Sequence, residues 1–303
     1  MFPALTLGLA LLAAGPPAQD PEPPDPRLEE AQRNRERLEE ARALAARNNQ
    51  RVLVLWSWKG DAQAAAFDRW RARDPAVARK ILYEFRFVRL ESLPPEQEDE
   101  EEGVVGGLPG LEEPTLTIFA ADGRVLDHRG LSSLPAGEEA RREALLAWLK
   151  PHEAPPWKAE ERLVRAMKKA RAGGLRLFVT FGAPWCGWCH RLQDRLHRAE
   201  VRERTARDFA FLHIDIERET GGLEVLERYR GTTKGGIPWF VILEDLDEVV
   251  ATSDAPENLG CPATEEELRA FAGILRKAAP HMTPEDIEAV IQQFRDPAPE
   301  TGG

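Results

Sequence analysis

Cysteine is scarce in this chain, with 3 among 303 residues. So few cannot build a disulfide framework, which needs several bridges. Long apolar runs are missing too. None reaches the roughly 18–20 residues of a membrane helix, so no integral membrane span is expected. Positive charge is in deficit: 41 Lys and Arg face 52 Asp and Glu, for a net charge of −11. A general nucleic-acid surface needs a basic face, so no nucleic-acid partner is expected. What remains is ample for folding. The hydrophobic share of 42% supports ordinary cores, and 303 residues suggest two domains.

The N-terminus reads separately from the rest. Phe2 to Ala14 is almost wholly apolar, and Ala13, Ala14 and Gly15 are small. This resembles a secretory signal peptide over residues 1–18, and it implies an exported protein, periplasmic or extracellular. No Lys or Arg precedes the apolar run, and Pro16-Pro17 follows it. The competing reading is an apolar tail on a cytoplasmic protein. Residues 19–26 are rich in proline and acid, and read as an extended tether.

From Arg27 the pattern turns helical, ending at Asn48-Asn49. Val52 to Trp56 is a short, continuous apolar run, which fits a buried strand. A helix over Ala64 to Arg73 follows, and Asp74-Pro75 opens another. Phe85 to Leu90 reads as a strand. Glu96 to Glu102 is an acidic run that reads as a solvated loop. Thr115 to Phe119 and Arg124 to Leu126, joined at Asp122-Gly123, read as a hairpin. Glu138 to Lys150 closes this unit. Residues 151–157, with three prolines, form a linker. The pattern then restarts: helix at Leu163 to Ala172, strand at Leu175 to Phe181, strand at Phe209 to Ile216, helix at Leu223 to Tyr229. A hairpin of Trp239 to Leu243 and Glu248 to Ala251 follows, then a helix at Glu265 to Lys277. Thr283 and Pro284 open a last helix, as N-cap and first residue.

The two halves repeat. Arg51 matches Arg176 at a shift of 125; Phe85, Phe87, Glu91 and Pro114 match Phe209, Phe211, Asp215 and Pro238 at a shift of 124. One register change near the helix after the first strand reconciles the two shifts. The chain is a tandem duplication of one βαβ…ββα unit, with units at 27–150 and 158–282 and a C-terminal helix and tail at 283–303. The element order fits an α/β fold, a mixed central sheet flanked by helices.

The second unit carries a distinctive stretch, Phe178-Val179-Thr180-Phe181-Gly182-Ala183-Pro184-Trp185-Cys186-Gly187-Trp188-Cys189-His190. A strand runs into a turn, and two cysteines stand at the mouth of a helix. Disulfide exchange needs a thiolate within reach of a partner's sulfur and a second thiol to release the mixed disulfide. Cys186, at the helix start, gains from unpaired N–H groups and the dipole that stabilise its anion. Cys189 lies one turn on. The spacing makes Cys186 the attacking nucleophile and Cys189 the more buried resolving thiol.

The stretch, with Ile237-Pro238 downstream, resembles the active-site segment of the thioredoxin superfamily. The resemblance implies tandem thioredoxin-like folds and a thiol–disulfide oxidoreductase acting on protein or peptide thiols and disulfides. It implies no metal, nucleotide or haem: the Cys186–Cys189 pair is itself the redox group, served by an unidentified redox partner. It also implies a cis Pro238 facing the cysteines, with Ile237 binding an extended substrate. Trp185, Gly187 and Trp188 fall in the substrate-binding lip, and Trp239 is expected nearby. The first unit has Asp61 and Ala64 where the second has Cys186 and Cys189, so it is redox-dead.

Two departures stand out. The family's buried Asp and its Lys partner are Thr180 and Phe211 here, and both charges are gone together. Water or His190 is then the substitute for handling the proton of Cys189. The dipeptide Gly187-Trp188 also differs from the family's Gly-Pro. Cys261 is left over and reads as an idle buried thiol.

Three other readings compete. Cys186-Gly187-Trp188-Cys189-His190 also matches a haem c attachment, with His190 and then Met167 or Met282 as axial ligands. A structural zinc would need four ligands from these cysteines and scattered histidines. A non-catalytic peptide-binding or scaffolding pair of domains would hold the cysteines as an inert disulfide.

Overall fold

The computed structural model describes residues 26–92, 112–244, 247–254 and 257–295. The signal-peptide segment, the tether up to residue 25, the acidic run and the tail from residue 296 lie outside the described residues.

The first unit runs α1 (Pro26–Arg47), β1 (Arg51–Trp58), α2 (Ala62–Arg73), α3 (Pro75–Glu84), β2 (Phe85–Ser92), β3 (Thr115–Phe119), β4 (Val125–Gly130) and α4 (Glu138–Leu149). The second runs α5 (Ala159–Ala172), β5 (Arg176–Gly182), α6 (Gly187–His197), α7 (Ala199–Thr205), β6 (Phe209–Asp215), α8 (Gly222–Arg230), β7 (Trp239–Leu243), β8 (Val249–Thr252), α9 (Glu265–Ala278) and α10 (Pro284–Arg295). Each unit holds one four-stranded sheet, with orders β2-β1-β3-β4 and β6-β5-β7-β8. The first two strands pair in parallel and the rest antiparallel, starting at Arg51↔Phe85 and Arg176↔Phe209. The fold is α/β, two tandem mixed sheets flanked by helices.

The central strands are largely apolar because both faces are covered. On β5, Phe178 packs with Leu192 and Leu196 of α6 and with Phe271 of α9. The alternate residues Leu177, Val179 and Phe181 pack with Leu163 of α5 and Val225 of α8. On β1 the same alternation sends Leu53 and Leu55 to Phe67 and Ile81, and Val52 and Val54 to Ala41 and Ala45. Helix α10 joins the second core through Ile287, Val290, Ile291 and Phe294. Thr283 caps it by accepting from the Asp286 N–H at 3.1 Å.

The cysteine helix is shorter than its apolar spacing suggests. Leu192, Leu196 and Ala199 look continuous, but Arg198 adopts an extended backbone (φ −56°, ψ 138°) and splits α6 from α7. The first unit breaks at the matching Asp74, which caps α3 through the Ala76 and Val77 N–H groups, both at 3.1 Å. The sequence marks that break with Asp-Pro and leaves the second unmarked.

The first unit is tied to the linker that follows it. Arg51 Nε donates to the His152 carbonyl (3.1 Å), and Asn49 Nδ2 to the Pro155 carbonyl (2.7 Å). Lys80 pairs with Glu153 at 2.6 Å.

Asp61 stands at the N-cap of α2, its carboxylate accepting from the Ala64 N–H at 2.6 Å. Asp61→Ala should lower stability by about 1 kcal/mol, the usual worth of such a cap. A denaturant midpoint equal to wild type would contradict this role.

Candidate active site

Strand β5 delivers the chain to Pro184 and Trp185, and Cys186 then caps α6 with an extended backbone (φ −84°, ψ 94°). Cys186 Sγ accepts from the Cys189 N–H at 3.1 Å, the same bond that Asp61 makes in the first unit. Cys186 and Cys189 are joined as a disulfide, with Cα atoms 5.2 Å apart. The expected contrast in burial is absent. Cys186 is 4% exposed and Cys189 3%. Cys186 Sγ faces the Ile237 carbonyl oxygen at 3.7 Å, and Ile237–Pro238 is the cis peptide bond of the described residues.

The other predicted residues divide by exposure. Trp185 and Trp188 flank the pair and are 57% and 49% exposed. The Arg191 guanidinium lies 4.7 Å from the centre of the Trp188 ring. Trp185 Nε1 donates to the Glu217 carboxylate at 2.7 Å. Trp239 is fully buried, against Phe181, so it belongs to the core rather than to an exposed lip. Its place as first residue of β7, facing inward beside β5, enforces this. Gly187 is exposed, and a Cβ there would meet nothing within 4 Å. Steric demand therefore does not explain that glycine.

Gly182 is different. A Cβ there would stand 2.9 Å from Cys189 Cβ, 3.0 Å from its sulfur and 2.9 Å from His213 Cε1. The disulfide and an imidazole thus close on the strand from two sides. His213 is the polar neighbour that sequence reasoning missed. It pairs with Thr180 across β5 and β6, and its Nδ1 lies 3.1 Å from Thr180 Oγ1, which also receives Gln193 Nε2 at 2.5 Å. The signal was available. Period-two alternation puts His213 on the face of β6 that carries Phe209 and Phe211. Burial, then the nearby Arg162 charge, pushes the partly buried imidazole down from its ordinary 6.5 to about 3. His190, the expected substitute, instead places Nε2 2.8 Å from the Pro184 carbonyl.

Sequence reasoning also missed Asn258. Its Nδ2 donates to the Pro238 carbonyl (3.0 Å) and the Gly236 carbonyl (3.1 Å), while its Oδ1 accepts from the buried Ser253 hydroxyl (2.7 Å). Ser253 in turn accepts from the Phe240 N–H at 3.1 Å. This network holds the proline loop to the sheet, opposite the cysteines. Nothing in a lone asparagine of a loop signals it.

Residues 157–244 match the family described as Thioredoxin-like. Over those residues the second domain is similar to that family. The similarity spans the strand–turn–cysteine–helix segment and the proline loop opposite it. Solved structures similar to the chain include a disulphide isomerase from Xylella fastidiosa Temecula1, at 20% identity over 45% of this chain and 88% of that one, TM-score 0.31. A thioredoxin from Thermus thermophilus matches at 24% identity over 32% of this chain and 71% of that one, TM-score 0.26. Human ERp44 in a zinc-bound form matches at 14% identity over 86% of this chain and 61% of that one, TM-score 0.26. No curated protein matches the chain.

Within the second domain, Cys261 is buried, its sulfur 3.5 Å from Arg195 Nη1, and burial pushes its thiol up. Met167 and Met282 pack in different hydrophobic clusters. Among the described residues no group of three or more His, Cys, Asp or Glu is placed to hold a metal, and no helix is long and apolar enough to cross a membrane.

The depressed value of His213 has a definite sign. Because the folded imidazole binds its proton at about 3 and the unfolded one at 6.5, the unfolded chain gains the proton first as pH falls. The contribution is therefore complete above 6.5 and is lost as pH falls towards 3. Melting temperature should drop across this window, and less steeply in His213→Asn. Parallel profiles for the two proteins would refute the assignment.

Proposed function

We propose that the second domain is a thiol–disulfide oxidoreductase acting on cysteines of proteins or peptides. The observation that carries this reading is the Cys186–Cys189 pair at the front of α6, with the Ile237 carbonyl 3.7 Å away. In the reduced enzyme, the Cys186 thiolate attacks one sulfur of a substrate disulfide. That bond breaks, and the departing substrate thiolate carries the electron pair. Cys189 then attacks Cys186 Sγ, gives its proton to the released sulfur, and frees the second substrate thiol. Two electrons pass from the pair to the substrate, and the pair ends as the disulfide. Run backwards, the same steps oxidise a dithiol.

Several groups support these roles. The Cys189 N–H that now meets Cys186 Sγ at 3.1 Å is available to stabilise the thiolate. An extended substrate segment adds to the backbone of Ile237 as a short strand. Trp185 and Trp188 offer exposed aromatic surface on either side. A neutral His213 leaves no formal charge beside Cys189 and no strong base, so the substrate sulfur is the fitting destination for the proton. We place the active unit at residues 158–282, with α10 packed on it, and the redox-dead unit at 27–150. The apolar run Phe2–Ala14 supports export, and the redox group is the cysteine pair alone.

Insulin reduction with a dithiol reductant tests this directly. Wild type should turn over, Cys186→Ser should not, and Cys189→Ser should trap a mixed disulfide with the substrate. The reduced Cys186 thiol should also titrate below the ordinary value of about 8.5. Absence of turnover in either redox direction would favour the non-catalytic binding module instead.

A further inference from the structure

The redox-dead domain reaches the cysteine site through one carboxylate. Glu217 lies in the turn after β6. Its Oε1 accepts from Trp185 Nε1 at 2.7 Å, and its Oε2 accepts from the Tyr83 hydroxyl at 2.5 Å. Trp185 adjoins Cys186, whereas Tyr83 belongs to α3 of the first domain. Arg79 stacks over the Tyr83 ring at 4.4 Å and brings its guanidinium within 3.9 Å of Glu217. The neighbouring residues repeat the link. Arg218, 8% exposed at its side chain, donates to the Asn48 carbonyl (2.6 Å), the Asn49 carbonyl (2.9 Å) and the Glu84 carboxylate (2.9 Å). Consecutive residues of one domain thus bind consecutive residues of the other: Tyr83 with Glu217, Glu84 with Arg218.

The turn itself is braced from within. Asp215 Oδ1 accepts from the Glu217 and Arg218 N–H groups, both at 2.9 Å, and the Ile216 N–H donates to the Gly182 carbonyl at 2.9 Å. The backbone is therefore fixed, and the freedom left lies in the Glu217 side chain. An indole that is 57% exposed has little packing to hold it. Its orientation depends on the one hydrogen bond from its edge, and the acceptor of that bond is steadied by Tyr83.

We propose that the first domain is a positioning element of the site: through Tyr83 and Glu217 it sets the orientation of Trp185, and with it the lip that receives an extended, cysteine-bearing protein segment. This deepens the oxidoreductase reading and rests on it. Tyr83 and Glu217 are positioning residues here, since neither touches the reacting sulfurs.

The test uses the full chain and Tyr83→Phe, which removes one hydroxyl. With the tryptophan indoles labelled with nitrogen-15, Trp185→Phe identifies the Trp185 N–H resonance. In Tyr83→Phe that resonance should shift and its exchange with solvent should quicken several-fold. With insulin as substrate, KM should rise about fivefold while kcat stays within about twofold. The rate with oxidised glutathione, too small to need the lip, should be unchanged. A Trp185 resonance identical to wild type would overturn the proposal. So would a shifted resonance with unchanged KM, which would sever the link to substrate. If wild type shows no exchange with either substrate, the oxidoreductase reading falls with the lip, and the resonance alone still decides whether Tyr83 orients Trp185.

Discussion

A backbone N–H in the first turn of a helix has no carbonyl to bind, and the chain must find it a partner. Both domains meet this need three residues ahead, at the point where the central strand turns into its first helix. In the first, the Asp61 carboxylate takes the Ala64 N–H at 2.6 Å; in the second, the Cys189 N–H is shared between Cys186 Sγ at 3.1 Å and the Cys186 carbonyl at 3.0 Å. The carboxylate gives a permanent cap and no chemistry. The sulfur gives a cap whose strength changes with its charge, strongest when ionised. One local requirement, met by two side chains, divides the molecule into a structural half and a reactive half.

The rest of the second domain serves that helix end. Phe178 and Leu192 seat α6 on the sheet, and the parallel β5–β6 pair sets the height of the turn. The hairpin of β7 and β8 brings Ile237-Pro238 across from it, and Asn258 ties this loop down.

Much of this was legible from residues alone, for reasons that differ by element. The central strands show as apolar runs because both their faces are buried, and the repeat shows because Phe85, Phe87 and Pro114 hold core or loop positions that Phe209, Phe211 and Pro238 hold again. The break at Asp74 shows because Asp-Pro is a chemical marker, while the same break at Arg198 has none. His213, Asn258 and Glu217 were hidden because their roles come from partners 20 to 134 positions away in the chain. The lip was half legible. Trp185 and Trp188 lie in the motif and Trp239 follows Pro238, but only the pairing of β7 with β5 decides that Trp239 turns inward.

The close quarters at Gly182 set a condition on any engineered revival of the first domain. Its counterpart there is Ser57, at the same place in the β1–β2 pairing as Gly182 in β5–β6, and 1% exposed. The space beneath α2 that a second sulfur would occupy lies beside a hydroxymethyl group. Installing cysteines at Asp61 and Ala64 would therefore demand glycine at Ser57 as well, a three-site change in which the Ser57 hydroxymethyl must be removed before the bridge can close.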